Sequence, residues 1–101
     1  WLTDNSSEDA RAQWADYPAM SDPDGIAERV RAAGYEVVAT RVLSEEACEN
    51  YYTPLEARIE KLRPGADDAL AQVLDATEAE IACWRAHGDE FGYLLTVARP
   101  A

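Results

Sequence analysis

The strongest β-favouring run is Gly34 to Leu43, Gly-Tyr-Glu-Val-Val-Ala-Thr-Arg-Val-Leu, with β-branched side chains at Val37, Val38, Thr40 and Val42. Helical periodicity stops just before it at Ala32-Ala33-Gly34, and a helix-start pattern, Ser44-Glu45-Glu46, follows at once. One other segment is fit to pair with it, Phe-Gly-Tyr-Leu-Leu-Thr-Val-Ala at Phe91 to Ala98, so strands are expected at 35–42 and 91–98. Neither alternates cleanly. Val37 and Val38 fall on opposite faces, as do Tyr93 and Leu94, which leaves apolar groups on both faces of each strand. Strands of that kind lie inside a sheet with helices on each side. A lone pair is marginal and has two open edges. The pattern therefore predicts a β-layer that continues beyond this chain.

Five helices are expected around the strands. Ser6 reads as an N-cap with Asp9 three residues on, and Ala10, Trp14 and Tyr17 follow at helical spacing until Pro18. Asp22-Pro23 opens a second helix with Ile26, Val30 and Ala33 as its inner stripe and Gly34 as its left-handed C-cap. After the first strand, Ser44 caps a short helix to about Tyr51, and Thr53-Pro54 starts another whose inner face is Leu55, Ile59 and Leu62. The last helix is expected from about Ala66 to His87, its seam Leu70, Leu74, Thr77, Ile81 and Trp84, with Val73 widening the stripe. Connection length allows the second strand to run parallel or antiparallel to the first.

Composition narrows the partners. A chain of 101 residues supports a single domain, and its three Trp and five Tyr exclude a disordered tail. A formal charge of −11 offers no basic stripe for nucleic acid and no attraction to an anionic membrane. Cys48 and Cys83 lack any CxxC or Cys/His spacing and read as buried thiols, with no zinc site, which fits a reducing cytoplasm. No run reaches the ~20 apolar residues of a membrane span. The opening Trp1-Leu2-Thr3-Asp4 has no Met and reads as the tail of a buried strand, so a cut chain is expected.

Candidate chemistry is sparse. His87 is the only histidine, beside Gly88 at a helix end, where capping or a surface role is expected. The acid pairs Glu45/Glu46, Asp67/Asp68 and Asp89/Glu90 sit at helix starts and turns, where capping explains them. No P-loop, GxGxxG, HExxH or Ser/His/Asp order is present. More informative is the aromatic set Tyr51-Tyr52 with Trp14, Tyr17 and Met20 upstream. Adjacent tyrosines on a helix cannot share a face, so one can pack in the core while the other lines a pocket.

Four stretches, in this order, carry a resemblance: Trp1-Leu-Thr-Asp4, Ala33-Gly-Tyr-Glu-Val37, Tyr51-Tyr-Thr-Pro-Leu-Glu-Ala-Arg-Ile59 and Phe91-Gly-Tyr-Leu-Leu-Thr-Val-Ala-Arg-Pro100. Together they resemble the C-terminal part of bacterial class I S-adenosylmethionine-dependent methyltransferases. The resemblance implies an α/β fold, part of a doubly wound Rossmann-like sheet of seven strands whose last strand is inserted antiparallel beside the fifth. It would place Trp1-Leu2 at the end of strand five, Tyr35–Val42 as strand six and Phe91–Ala98 as strand seven. Residues 1–101 would form one fragment, and the cofactor-binding glycine-rich loop and acid would lie upstream of it.

On the same resemblance, the whole protein would transfer a methyl group from S-adenosylmethionine to a small molecule, without a metal. The fragment alone would be inactive, with no cofactor-binding residue of its own. Trp1, Tyr17, Met20, Tyr51 and Tyr52 would line the acceptor site, while the catalytic residues stay unassigned. The chain departs from the family at Cys48, where relatives tend to carry Trp. An alternative reading is an acidic, helix-rich interaction module that recruits a partner by strand addition. A third is a structural or homodimerisation segment using the Leu70–Trp84 seam.

Overall fold

Gly34 marks the hinge between the two halves of local structure: its φ of +90° is the only positive one in the chain. The computed structural model describes all 101 residues. Their order is α1 (Glu8–Gln13), α2 (Pro23–Ala32), β1 (Tyr35–Val42), α3 (Glu45–Leu62), a 3₁₀ turn (Arg63–Gly65), α4 (Asp68–His87) and β2 (Leu94–Pro100). The fold is thus α/β, with four α-helices and a two-stranded antiparallel sheet.

Capping explains most boundaries. Asp22 accepts from Gly25 N, Ser44 from Ala47 N and Asp67 from Leu70 N, each a side-chain oxygen taking one of the free amides of a first helical turn. At α1 the cap is Ser7 rather than Ser6: Ser7 Oγ accepts from Ala10 N, while Ser6 is buried and its carbonyl accepts from the Arg11 guanidinium. The first helix also ends at Gln13, short of Tyr17, because the chain tightens into turns through Trp14 to Ala19.

Two of the expected helices are one. α3 runs unbroken from Glu45 to Leu62 with Pro54 inside it, so the chain has four α-helices and not five. Thr53 does not cap; its hydroxyl donates to Glu49 Oε2 at 2.8 Å. Pro54 removes one ladder bond, but it is exposed, where water can satisfy the freed carbonyl. The stripe Cys48, Tyr52, Leu55, Ile59 and Leu62 lies against the core on the opposite side. Burial of one continuous face outweighs the local break signal.

α4 supplies the facing stripe of Leu74, Ile81 and Trp84, all buried, with Leu70 half-buried. Val73 does not widen this stripe: it is 60% exposed. Arg85 clamps the two helices, both its outer nitrogens 2.6 Å from the Glu56 carboxylate and its NH2 group 3.2 Å from Glu49. The geometry is bidentate, the favourable one for an exposed ion pair.

The strands differ most from expectation at the second. β2 begins at Leu94, not Phe91, and runs to Pro100. Its register sets Val42 opposite Leu94 and Tyr35 opposite Pro100, with Val38 as an extra residue in a bulge between Val37 and Ala39. Phe91 instead bridges Leu2. Gly92 N donates to Trp1 O at 3.1 Å and Trp1 N to Gly92 O at 2.8 Å, whereas Leu43 N donates to Tyr93 O. Neighbouring residues of a strand send their backbone groups to opposite edges. The segment 90–100 is therefore flanked antiparallel on one edge by β1 and, where it starts, on the other by residues 1–3.

This ribbon is not a core element of the chain by itself. Tyr35, Val38, Val42, Leu95 and Val97 are all exposed, on both faces. The radius of gyration is 16.3 Å, against about 13 Å for a compact chain of this size, and the long dimension is 52 Å. The buried core sits at the other end, among α1, α3, α4 and Phe91.

Candidate functional site

The fold brings its aromatic residues to one corner. There the start of the chain, the turns after α1, the middle of α3 and the run into β2 meet. Phe91 is the keystone, 2% exposed, its ring edge-on to Trp14 with centroids 5.3 Å apart. Trp14 in turn meets Tyr17 edge-on at 5.8 Å, and Tyr52 lies tilted on Trp84 at 5.0 Å. These contacts do not close the space completely. They enclose a cavity of about 290 Å³.

Four of the five residues singled out from the sequence line that cavity: Trp1, Tyr17, Met20 and Tyr52. Tyr51 does not. Its ring packs edge-on against Tyr52, 5.1 Å between centroids, and is 56% exposed on the outer side of α3. The sequence argument that two adjacent tyrosines must part company assigns no side to either; the buried stripe of α3 decides it. Trp14, Trp84, Phe91, Gly92 and Tyr93 also line the space and were not foreseen there. The Phe91-Gly92-Tyr93 triplet carried a usable signal: a glycine between aromatics marks close approach. A Cβ on Gly92 would stand 3.3 Å from Trp1 Nε1.

The side chains of the cavity wall are uncharged. Burial holds the Tyr52 phenol far above the ordinary tyrosine value, with the nearby Glu80 charge adding to it. Burial raises Tyr93 too, followed by the effect of Tyr51 and Glu80. The Cys48 thiol is pushed up by burial and then by Glu49, so it is a neutral wall group and no ready nucleophile. Two buried donors stand out. The indole nitrogens of Trp1 and Trp14 have no hydrogen-bond acceptor.

Cys48, Trp1, Trp84, Phe91 and Gly92 also form the back of a second, more polar hollow of about 360 Å³. Its rim carries Glu45, Glu49 and Asp89, and its one cationic side chain, Arg85, is already held by two carboxylates. The hollow therefore has no free basic side chain for an anion.

Away from the corner, His87 ties α1 to α4. Its Nδ1 lies 2.7 Å from Glu90 Oε2 and 3.3 Å from Ser7 Oγ, and its Nε2 lies 3.4 Å from Asp9 Oδ2. Ser7 and the carboxylate share one ring nitrogen, and Ser7 Oγ is the helix cap. This is a structural clasp, not a nucleophile with a base behind it. The Glu90 carboxyl is held below the ordinary carboxylate range, first by the Ser7 backbone N–H, then by the Ser7 hydroxyl and His87. The clasp is thus intact above about pH 4.5, the ordinary glutamate value, and weakens as pH falls through and below it. Amide exchange of Ala10 and Arg11 should accelerate over that acid range ahead of exchange in the middle of α4. Glu90→Gln should bring the faster exchange to neutral pH, and identical acid profiles in both proteins would refute the role.

No grouping of three or more His, Cys, Asp or Glu side chains is placed to hold a metal ion. No helix is long and apolar enough to cross a membrane. No protein-family model matches the chain, and neither a curated protein nor a solved structure matches it.

Proposed function

We propose that this chain is the acceptor-side, C-terminal portion of an S-adenosylmethionine-dependent methyltransferase acting on a small molecule. The observation that carries the reading is the flanking of the segment 90–100, which runs into and includes β2. Residues 94–100 pair antiparallel with β1 on one edge and residues 90–92 with residues 1–3 on the other, the arrangement expected of a seventh strand inserted beside a fifth. The apolar side chains left bare on both faces of the ribbon are what a strand pair needs if further strands and helices are to cover it. The aromatic cavity opens at this same corner, beside Trp1 and Gly92, where a sheet of this kind presents the carboxyl end of its fifth strand.

The residues present do not make a cofactor site. The five glycines, Gly25, Gly34, Gly65, Gly88 and Gly92, stand singly, with no glycine-rich turn leading from a strand into a helix. No step through the cofactor is therefore assigned to this chain. Its part in methyl transfer would be to bind and orient the acceptor and to exclude water, which is where such a reaction gains most.

Titration of residues 1–101 alone with S-adenosylmethionine should give no saturable binding, while the protein with its upstream region should bind it and release S-adenosylhomocysteine in the presence of acceptor. Tight binding by the isolated chain would refute the placement of the cofactor upstream. A second reading rests on the same bare ribbon: an interaction module whose open strand edges add a partner strand. A gene whose upstream region encodes no strand and glycine-rich turn would favour it over the enzyme.

A further inference from the structure

We infer that the aromatic cavity seats an uncharged apolar ring system of one or two rings by contact alone, with no hydrogen bond to its inner wall. That this ring is the anchoring half of a methyl acceptor rests on the function proposed above; the seating of the ring does not.

Three observations converge on that class. The first is charge. No acidic or basic side chain lines the cavity, so an ion entering it would lose its water and meet no counter-charge. A formal −11 on the chain opposes an anion further. The second is where the polar atoms lie. The indole nitrogens of Trp1 and Trp14 have essentially no accessible surface, which closes them to a ligand. Tyr52 is buried, with its phenol within reach of the Glu80 charge. Tyr17 and Tyr93 line the cavity while 61% and 64% exposed, so they form its mouth. What the inner wall presents is ring surface, the neutral Cys48 thiol and aliphatic groups.

The third observation is the space itself. Protein interiors leave few voids larger than a water molecule. Yet Phe91 and Trp84, both buried and well packed, border a hollow of about 290 Å³. An apolar hollow of this kind stays dry and takes apolar guests, and its volume suits one or two rings. The edge-on rings of Trp14 and Phe91 give an aromatic guest the contacts that such rings prefer. With no carboxylate or imidazole in the wall, the cavity supplies no base. In a methyl acceptor, the atom that receives the methyl group would therefore stay at the mouth, outside the seat of the ring.

The experiment compares naphthalene, 2-naphthol, 2-naphthoate and 2-(aminomethyl)naphthalene by calorimetry on the full chain. Naphthalene should bind saturably, and 2-naphthol should gain no more than about threefold over it, because no hydrogen bond is recovered at the inner wall. Both ions should bind at least about tenfold more weakly than naphthalene. Met20 is a half-buried loop residue of the wall, where a carboxylate can be installed. In Met20→Glu the ammonium compound should gain at least about tenfold relative to naphthalene, since the wall then offers a counter-charge. If that variant does not fold by circular dichroism, Ile26→Glu tests the same point from α2. A larger gain for 2-naphthol, tightest binding of either ion, an unchanged ligand order in the folded Glu variant, or no saturable binding of naphthalene would overturn the inference. None of these readouts involves methyl transfer. A protein that bound as described and transferred no methyl group would refute only the enzymatic reading, and a working methyltransferase whose cavity refused naphthalene would refute only this one.

Discussion

Phe91→Ala should be the most damaging single substitution in the chain, lowering unfolding free energy by about 3–5 kcal/mol. The ring is the one large side chain that is fully buried. It is edge-on to Trp14, and its backbone is bridged to Leu2. Truncation would remove the partner that holds the turns after α1 and would merge the two hollows that Phe91 helps to separate. Because the ring borders existing space, the residual cavity cannot collapse easily, which keeps the cost high. A domain typically holds only about 5–15 kcal/mol in total, so the variant should be half-unfolded by mild heating. Phe91→Leu, which keeps most of the volume, should cost less than about half as much. Urea unfolding with Trp fluorescence checks both. A Phe91→Ala loss under about 1 kcal/mol would show that the aromatic corner does not organise the core.

What could be read beforehand follows from how local the relevant physics is. The Asp22-Pro23 start, the Gly34 stop and the 35–42 strand each depend on the residues within a few positions, and all three stand where the pattern puts them. The Thr53-Pro54 break did not occur because its outcome is set by Cys48, Tyr52 and Ile59 packing on α4, a partner distant along the chain. The second strand starts late for a similar reason. Phe91 has the residue type of a strand, but its backbone is engaged by Leu2 rather than by β1. That Ser7 and not the expected Ser6 caps α1 goes with its contacts to Glu90 and His87, more than 70 residues away.

The candidate site divides the same way. Trp1, Tyr17, Met20 and Tyr52 come together from three separate stretches; the aromatic set pointed to Tyr17, Met20 and Tyr52, and the resemblance was needed to add Trp1. Periodicity could show only that Tyr51 and Tyr52 cannot share one face of their helix. The far wall, formed by Trp84 and Phe91, looked like core in the sequence because it is core on its other side. Bare apolar strands have the converse lesson. Alternation can show that Val38, Leu95 and Val97 require cover, but not whether the cover is a sheet extension or a separate partner.

Cys48 is a position at which the aromatic cavity can be closed from one wall. The thiol is a small, neutral wall element common to both hollows, on the buried stripe of α3. Cys48→Trp would direct an indole into space that the cysteine leaves free, and the side chain that fills the cavity then competes with the ligand. Binding of a two-ring aromatic such as naphthalene should fall by about 5- to 150-fold, the range set by an overfilling penalty of about 1–3 kcal/mol. Single-ring ligands should suffer less, since they need only part of the volume. Cys48→Ala enlarges the same wall and should leave two-ring binding within about threefold of the parent. In the complete methyltransferase proposed above, the change should appear as a raised KM for a large acceptor with unaltered affinity for S-adenosylmethionine, because the cofactor would sit on other strands. Unchanged two-ring binding in Cys48→Trp, with the fold intact by circular dichroism, would mean that ligands enter elsewhere and that the aromatic corner serves only to hold the chain together.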